Sequence, residues 1–343
     1  MVALMAALLA IAAGCSAGSS GTAETGSGPG SPEPAPAGAG TSPEGLGQPV
    51  RPGPDSDVPE IGVMVWNTEI PFYARFIDAL EDSAADQGVT VTLRNGQGDL
   101  AEEIAVIDQF VTDRVDALIV TPSDAEGITA AVQRAVAAGI PVIAANNRVG
   151  DDGGALTFVG ADDVEFGRQQ AQLLVSAMGP EGRVAVIQGR LGTSPQILRE
   201  QGFTEELAQY PGIEIVATRS ADWAAEQAVA VVQDWLVAFG EHELDAIVGQ
   251  GPEGVAAAEI IHAAGRDDLI VILGDYPSNV RDAIAAGTVY GTINQDPYPQ
   301  AYLAVELAVQ VLGGDRDLAP NHYLPLPRVT AENVHEIPPA WGG

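Results

Sequence analysis

The sequence predicts an α/β protein built as two lobes, each a doubly wound parallel sheet. Three observations predict it. From Glu60 onward, short apolar runs alternate with longer amphipathic ones, as in parallel strands covered by helices on both faces. About ten strand-like runs follow one another, and the alternation restarts after Asp162-Asp163, so two sheets of ordinary size fit better than one very large one. A chain of 343 residues with 46% hydrophobic content is long and apolar enough for two cores.

In order, strands are expected over 61–66, 89–93, 117–120, 142–145 and 157–159, and then over 183–187, 213–218, 246–248, 270–273 and 289–293. Most of these runs are apolar nearly throughout, which suits strands buried on both faces. Helices are expected between most of them, at 75–87, 101–112, 125–138, 165–178, 196–209, 224–239 and 254–264. Gly88, Gly139, Gly265 and Gly287 stand where helices should end.

The segment ahead of this body differs in kind. Residues 1–13 are an apolar run, too short for a stable membrane span but suited to a signal-peptide core. The run ends in Ala12-Ala13-Gly14-Cys15. Small residues directly before a cysteine resemble the lipobox of bacterial lipoproteins, although Ala12 stands where that family prefers leucine. The resemblance implies a signal peptide over 1–15, a lipid on Cys15, and a protein exported and anchored to the outer face of the cell membrane. Residues 16–59 are rich in Gly, Ser, Pro, Ala, Thr and Glu and cannot bury enough apolar area to offset their chain entropy. They are expected to form a disordered tether between the membrane and the folded body.

The chain carries 47 acidic residues against 15 basic ones, all of them arginine, for a net charge of −32. Such a surface repels nucleic acid and anionic lipid. The four histidines, His242, His262, His322 and His335, have no metal-ligand spacing, so no metal and no cofactor is expected.

Parallel sheets bind ligands beyond the C-terminal ends of their strands, so the residues after each strand bear the function. After the first come Asn67-Thr68-Glu69-Ile70 and then Pro71-Phe72-Tyr73. Two aromatic rings beside a polar cluster either close the top of a sheet or face a ligand. Later strands are followed by Asn146-Asn147-Arg148, by a stretch reaching Arg199, by Asp222-Trp223, by Gly249-Gln250-Gly251, by Asp275 and by Gln295. Amides, carboxylates and arginine exchange hydrogen bonds with hydroxyls, and aromatic faces pack on the C–H faces of sugar rings. The set contains no nucleophile–base pair.

From Glu60 to about Asn333 the chain resembles the ribose-type sugar-binding proteins that feed ABC importers, with their two-lobed "Venus flytrap" fold. "NTEIPFYARF" is similar to the family's first loop, "GTSPQILREQGF" to the motif that carries its ligand arginine, and "ADW" to the site of its second-lobe aromatic. The resemblance implies ligand contacts from Phe72, Tyr73, Arg199, Trp223, Asp275 and Gln295. It also implies a contribution from Asn146-Asn147, or from Asn147-Arg148 if one residue is inserted. Ile70 and Gly251 stand where ribose binders use asparagine, so another monosaccharide or a polyol is expected. The family's connectivity implies a hinge crossed several times. Lobe one is then 60–163 plus 296–325, and lobe two is 164–295 plus 326–343. The expected partners are a small-molecule sugar or polyol and the permease subunits of an ABC importer, with no nucleic acid. The protein is expected to be a monomer and not an enzyme. Neither Phe72 nor Arg199 is expected to carry much of the fold's stability, since both should line an open, solvent-filled cleft.

Other readings meet specific obstacles. A non-sugar ligand delivered to a sensor or chemoreceptor would use the same fold. Gly249-Gln250-Gly251-Pro252-Glu253-Gly254 matches a dinucleotide-binding glycine pattern, with Asp275 at the end of the next strand. Yet Glu253 would repel a pyrophosphate, and an exported lipoprotein meets little nicotinamide cofactor. A sugar-responsive repressor would need a helix-turn-helix ahead of the lobes. Glu69, Glu253 and Asp275 could supply a glycosidase pair, but sequence does not give their separation.

Overall fold

The structure is a computed structural model that describes residues 58–342. The signal-like segment, Cys15 and nearly all of the expected tether lie outside the described residues.

The chain runs through β1 (Glu60–Val65), α1 (Pro71–Gln87), β2 (Thr90–Asn95), α2 (Leu100–Asp113), β3 (Ala117–Thr121), α3 (Thr129–Ala137), β4 (Val142–Ala145) and β5 (Thr157–Gly160). It continues with α4 (Asp163–Met178), β6 (Glu181–Gln188), α5 (Ser194–Leu207), β7 (Gly212–Ser220), α6 (Ala225–Ala238), β8 (Ala246–Gly249) and α7 (Gly254–Ala263). Then come β9 (Ile270–Gly274), α8 (Ser278–Ala286), β10 (Gly291–Ile293), α9 (Pro297–Leu312), β11 (Asn321–Tyr323) and β12 (Arg328–Thr330).

Two six-stranded sheets result, in the orders β11-β5-β4-β3-β1-β2 and β12-β10-β9-β8-β6-β7. Every pairing is parallel except β10 with β12. The chain passes from one sheet's layers to the other's three times: between β5 and α4, between β10 and α9, and between β11 and β12. Both faces of each sheet are covered. In β1, Ile61, Val63 and Val65 pack under α1 and α9, while Met64 packs with α2 and α3 on the other side. That is why the strand reads as a continuous apolar run and not an alternating one.

Local chemistry sets the element ends. Pro71 occupies the first turn of α1, where its missing N–H costs nothing. Gly88 closes that helix at φ 67°, returning its N–H to Ala84 and Ala85. The third helix begins later than expected because the Asp124 side chain accepts from the N–H groups of Glu126 and Gly127 and makes a turn there. The sequence reading also missed β11 and β12. Each has three residues, and they are strands because the edges of β5 and β10 offer them partners.

Candidate ligand-binding cleft

The loops at the C-terminal edges of the two sheets meet around a cavity of about 430 Å³. Its lining combines aromatic rings with other apolar side chains, such as Ile70, Pro195, Pro252 and Val255, and a set of polar groups. The first turn of α1 brings in Phe72 and Tyr73, whose rings meet edge to face at 5.3 Å. Phe72 makes a second such contact, also at 5.3 Å, with Trp341. The Tyr73 hydroxyl accepts a hydrogen bond from Trp66 Nε1 and donates one to Asn146 Oδ1, both at 2.9 Å. Burial pushes the Tyr73 phenol well above its ordinary pKa.

From Asn146 a polar relay runs across the hinge. Asn146 sits at φ 59°, a left-handed conformation that asparagine tolerates better than most residues. Its Nδ2 donates to Gln300 Oε1 at 3.2 Å, Gln300 Nε2 to Gln295 Oε1 at 3.3 Å, and Gln295 Nε2 to Asp275 Oδ1 at 2.9 Å. Asp275 also stands at positive φ, 62°. Burial raises its pKa to about 6, and Arg199 and Gln295 hold it lower than burial alone would.

Arg199 is locked in place. Its Nε donates to Asp163 Oδ1 at 2.9 Å and its Nη1 to the Gln250 carbonyl at 2.6 Å. Nη1 lies 3.7 Å from Asp275, and the guanidinium stacks 3.8 Å above Phe166. The indole of Trp223 fits a slot left by two glycines: a Cβ on Gly189 would fall 1.9 Å from it, and one on Gly251 2.8 Å from it. Asparagine at 251 would therefore collide with Trp223.

Eight of the nine expected ligand residues line the cavity: Phe72, Tyr73, Asn146, Asn147, Arg199, Trp223, Asp275 and Gln295. Arg148 does not. Its guanidinium turns to Asn321 Oδ1 and Tyr323 Oη and stacks on Phe158, while its backbone N–H donates to Ser194 Oγ across the cleft. This geometry favours the register that uses Asn146 and Asn147. Tyr73 and Asn147 are partly committed to the protein itself, since Asn147 Nδ2 donates to the Pro122 carbonyl. In the described arrangement the Arg199 and Phe72 side chains are both buried and do not line an open cleft: Arg199 is 2% exposed and Phe72 7%.

Among the lining residues to which the sequence assigned no ligand contact are Trp66, Glu253 and Trp341. Trp66 had a signal, being the aromatic at the end of an expected strand. Trp341 had none, since it follows the last expected element. It reaches the cleft because Ser278 N–H donates to its carbonyl and Ala340 N–H to that of Tyr276. Among the described residues no cluster of His, Cys, Asp or Glu could hold a metal ion, and no helix is long and apolar enough to cross a membrane.

Two parallel-sheet lobes, a hinge of three strands of chain and an aromatic-and-amide cleft between sheet edges define a solute-binding protein. The chain belongs to the periplasmic binding protein domain family, whose pattern it matches over residues 61–316. It is 27% identical over 281 residues to a xylitol-binding protein of Mycolicibacterium smegmatis, covering 82% of this chain and 79% of that one. It is 27% identical over 260 residues to a ribose import binding protein of Bacillus subtilis, covering 75% and 82%. An ABC transporter solute-binding protein of Bacillus halodurans, solved with bound myo-inositol, superposes with a TM-score of 0.77 at 29% identity, covering 82% of this chain and 98% of that one. The family binds and delivers substrates and does not transform them.

Proposed function

We propose that this protein binds a sugar or polyol outside the cytoplasm and hands it to the permease of an ABC importer. The observation that carries the reading is the composition of the cleft. Phe72 and Trp223 come from different lobes, and between them lie the amides and carboxylates of the Asn146–Gln300–Gln295–Asp275 relay with Arg199 beside it. Apolar ring faces and a file of donors and acceptors match a ring or chain of C–H groups and hydroxyls. The ligand set is Phe72, Tyr73, Asn146, Asn147, Arg199, Trp223, Asp275 and Gln295, with Trp341 added and Arg148 left out.

The ligand stabilises a shut arrangement through contacts that both lobes make together. The lobes divide near Asp163, Gln295 and Leu326, and the unit acts as a monomer. Export and a lipid on Cys15 hold it at the outer face of the membrane, close to its permease.

A thermal-shift panel of pentoses, hexoses, inositols and linear polyols tests the reading. A true ligand at about a hundredfold excess over its Kd stabilises the protein by roughly 2.7 kcal/mol. If no member of the panel raises the melting temperature, the reading fails.

A further inference from the structure

Glu253 stands in the turn between β8 and α7, and the binding scheme above gives it no role. It lines the cavity yet is only 5% exposed, and neither carboxyl oxygen has a hydrogen-bond partner. Unpartnered buried carboxyls are costly, and native proteins keep few of them. Its position is informative. Glu253 Oε2 lies 2.4 Å from the point where a Cβ on Gly251 would sit. The space that a side chain at 251 would take is thus filled by the carboxyl of a residue two positions on.

The charge balance around it is one-sided. Three carboxyls, Asp163 on α4, Asp275 after β9 and Glu253, face one guanidinium, Arg199 on α5. Arg199 is already bound to Asp163 at 2.9 Å, and Asp275 has Gln295 as a donor. Glu253 makes no hydrogen bond, with only the backbone amides of Glu253 and Gly251 and the more distant Arg199 charge to offset it, and Arg199 is the only cationic side chain among the described lining residues. A neutral polyol would bring no charge to balance an ionised Glu253, which could then only stay protonated. A ligand ammonium supplies both the missing charge and up to three donors.

We infer that the cleft selects a sugar or polyol carrying a basic amine, and that Glu253 is the residue that receives the ammonium group. The inference rests on the proposed function and narrows its substrate class. Burial raises the Glu253 pKa to about 8, tempered by the backbone amides of Glu253 and Gly251 and by the Arg199 charge, with the Asp275 charge adding to the rise. At pH 7 the group is therefore mostly protonated before the ligand arrives. A bound ammonium favours the carboxylate, so the Glu253 proton leaves to the buffer as the ion pair forms.

The test is calorimetric titration of the full chain with matched pairs: glucosamine and glucose, galactosamine and galactose, glucamine and sorbitol. Each is run at pH 7 in two buffers of different ionisation enthalpy. At least one amine should bind tenfold or more tightly than its neutral partner, with release of a proton on binding. Glu253→Gln, which keeps the volume, should lose tenfold or more for that amine, shift the neutral partner less than threefold, and abolish the proton release. The proton count on the unmodified protein stands on its own if the variant folds poorly. Neutral members that bind as well as or better than the amines overturn the inference and leave the sugar or polyol reading intact. A Glu253→Gln loss of equal size for both members shows a structural role and overturns it too. Binding by no member of any pair overturns the inference, and the wider panel of pentoses, hexoses, inositols and linear polyols then decides the sugar or polyol reading.

Discussion

The ring of Trp341 stands edge-on to the ring of Phe72, with centroids 5.3 Å apart and planes at 81°. The two residues belong to opposite sides of the cleft. Phe72 is on the first turn of α1, under the first sheet, while the Trp341 backbone is bound to the start of α8 beside the second. Their contact makes one aromatic corner from both lobes.

That corner should count twice. Phe72→Ala should weaken ligand binding by roughly 1–3 kcal/mol, the scale of an aromatic side chain's burial. Because Phe72 is also 7% exposed and packed in the core beneath α1 and α9, the same change should lower stability by about 3 kcal/mol. Trp341→Ala should weaken binding similarly and admit bulkier ligands. Titration and melting curves on both variants check this. Normal affinity with a much lower melting temperature would make Phe72 core alone.

Export is checked separately. Cys15→Ala should move the protein from the membrane fraction to the soluble one while leaving its affinity unchanged. Continued membrane association would exclude lipidation at Cys15 as the anchor.

The fold was largely legible because parallel strands buried on both faces announce themselves as apolar runs, as in Ile61-Gly62-Val63-Met64-Val65. The cavity lining was legible where it follows such runs, as at Phe72, Asn146, Asp275 and Gln295. It was illegible at Trp341, whose place depends on backbone bonds to Tyr276 and Ser278 far away in sequence. Arg148 shows the opposite limit. Three positions in a row looked equivalent as sequence, yet the ring of Phe158 and the partners Asn321 and Tyr323, the last two on the unforeseen β11, draw the third away from the ligand. The sequence also gave no sign that Arg199 would be closed in by Asp163.

That closure changes what Arg199 should do when removed. Arg199→Ala leaves Asp163 buried without its cation, and breaking such a pair costs about 3–5 kcal/mol. The variant should melt far below the parent as well as bind poorly. Replacing both partners, Asp163→Leu with Arg199→Met, should recover much of the melting temperature but not the affinity. A double variant as unstable as the single one would show that the arginine's other contacts, to Gln250 and Phe166, carry the stability.

Arg190 tests how the lobes hold together. From the loop after β6 its Nη2 donates to the Gly98 carbonyl at 2.8 Å, and its guanidinium lies 5.4 Å from the Trp66 ring, both on the other lobe. Arg190→Ala should favour the open arrangement by about 1 kcal/mol, the worth of one such hydrogen bond and ring contact. Small-angle scattering of the ligand-free variant should give a larger radius of gyration than the parent, and affinity should fall about fivefold. An unchanged radius would show that the contact does not bias closure.

The pH dependence of stability follows from the two raised carboxyls. In the described arrangement Asp275 has its pKa raised from 3.8 to about 6 and Glu253 from 4.5 to about 8, both chiefly by burial. A raised folded-state pKa means that this state binds the proton more tightly than the unfolded chain does. The resulting stability is fully present below the unfolded values and is lost as pH rises, through about 6 for Asp275 and about 8 for Glu253. The rest of this acidic surface also titrates, so the informative quantity is the difference between the parent and Glu253→Gln. The two should melt alike at about pH 4 and below, where Glu253 is neutral in both the folded and the unfolded chain. Above pH 8 the variant should be the more stable by a few kcal/mol, and the gap should open between those limits. Melting curves at half-unit intervals decide it. A gap that is constant with pH, or one that favours the parent in alkali, would mean that the Glu253 carboxylate is well accommodated in the shut cleft.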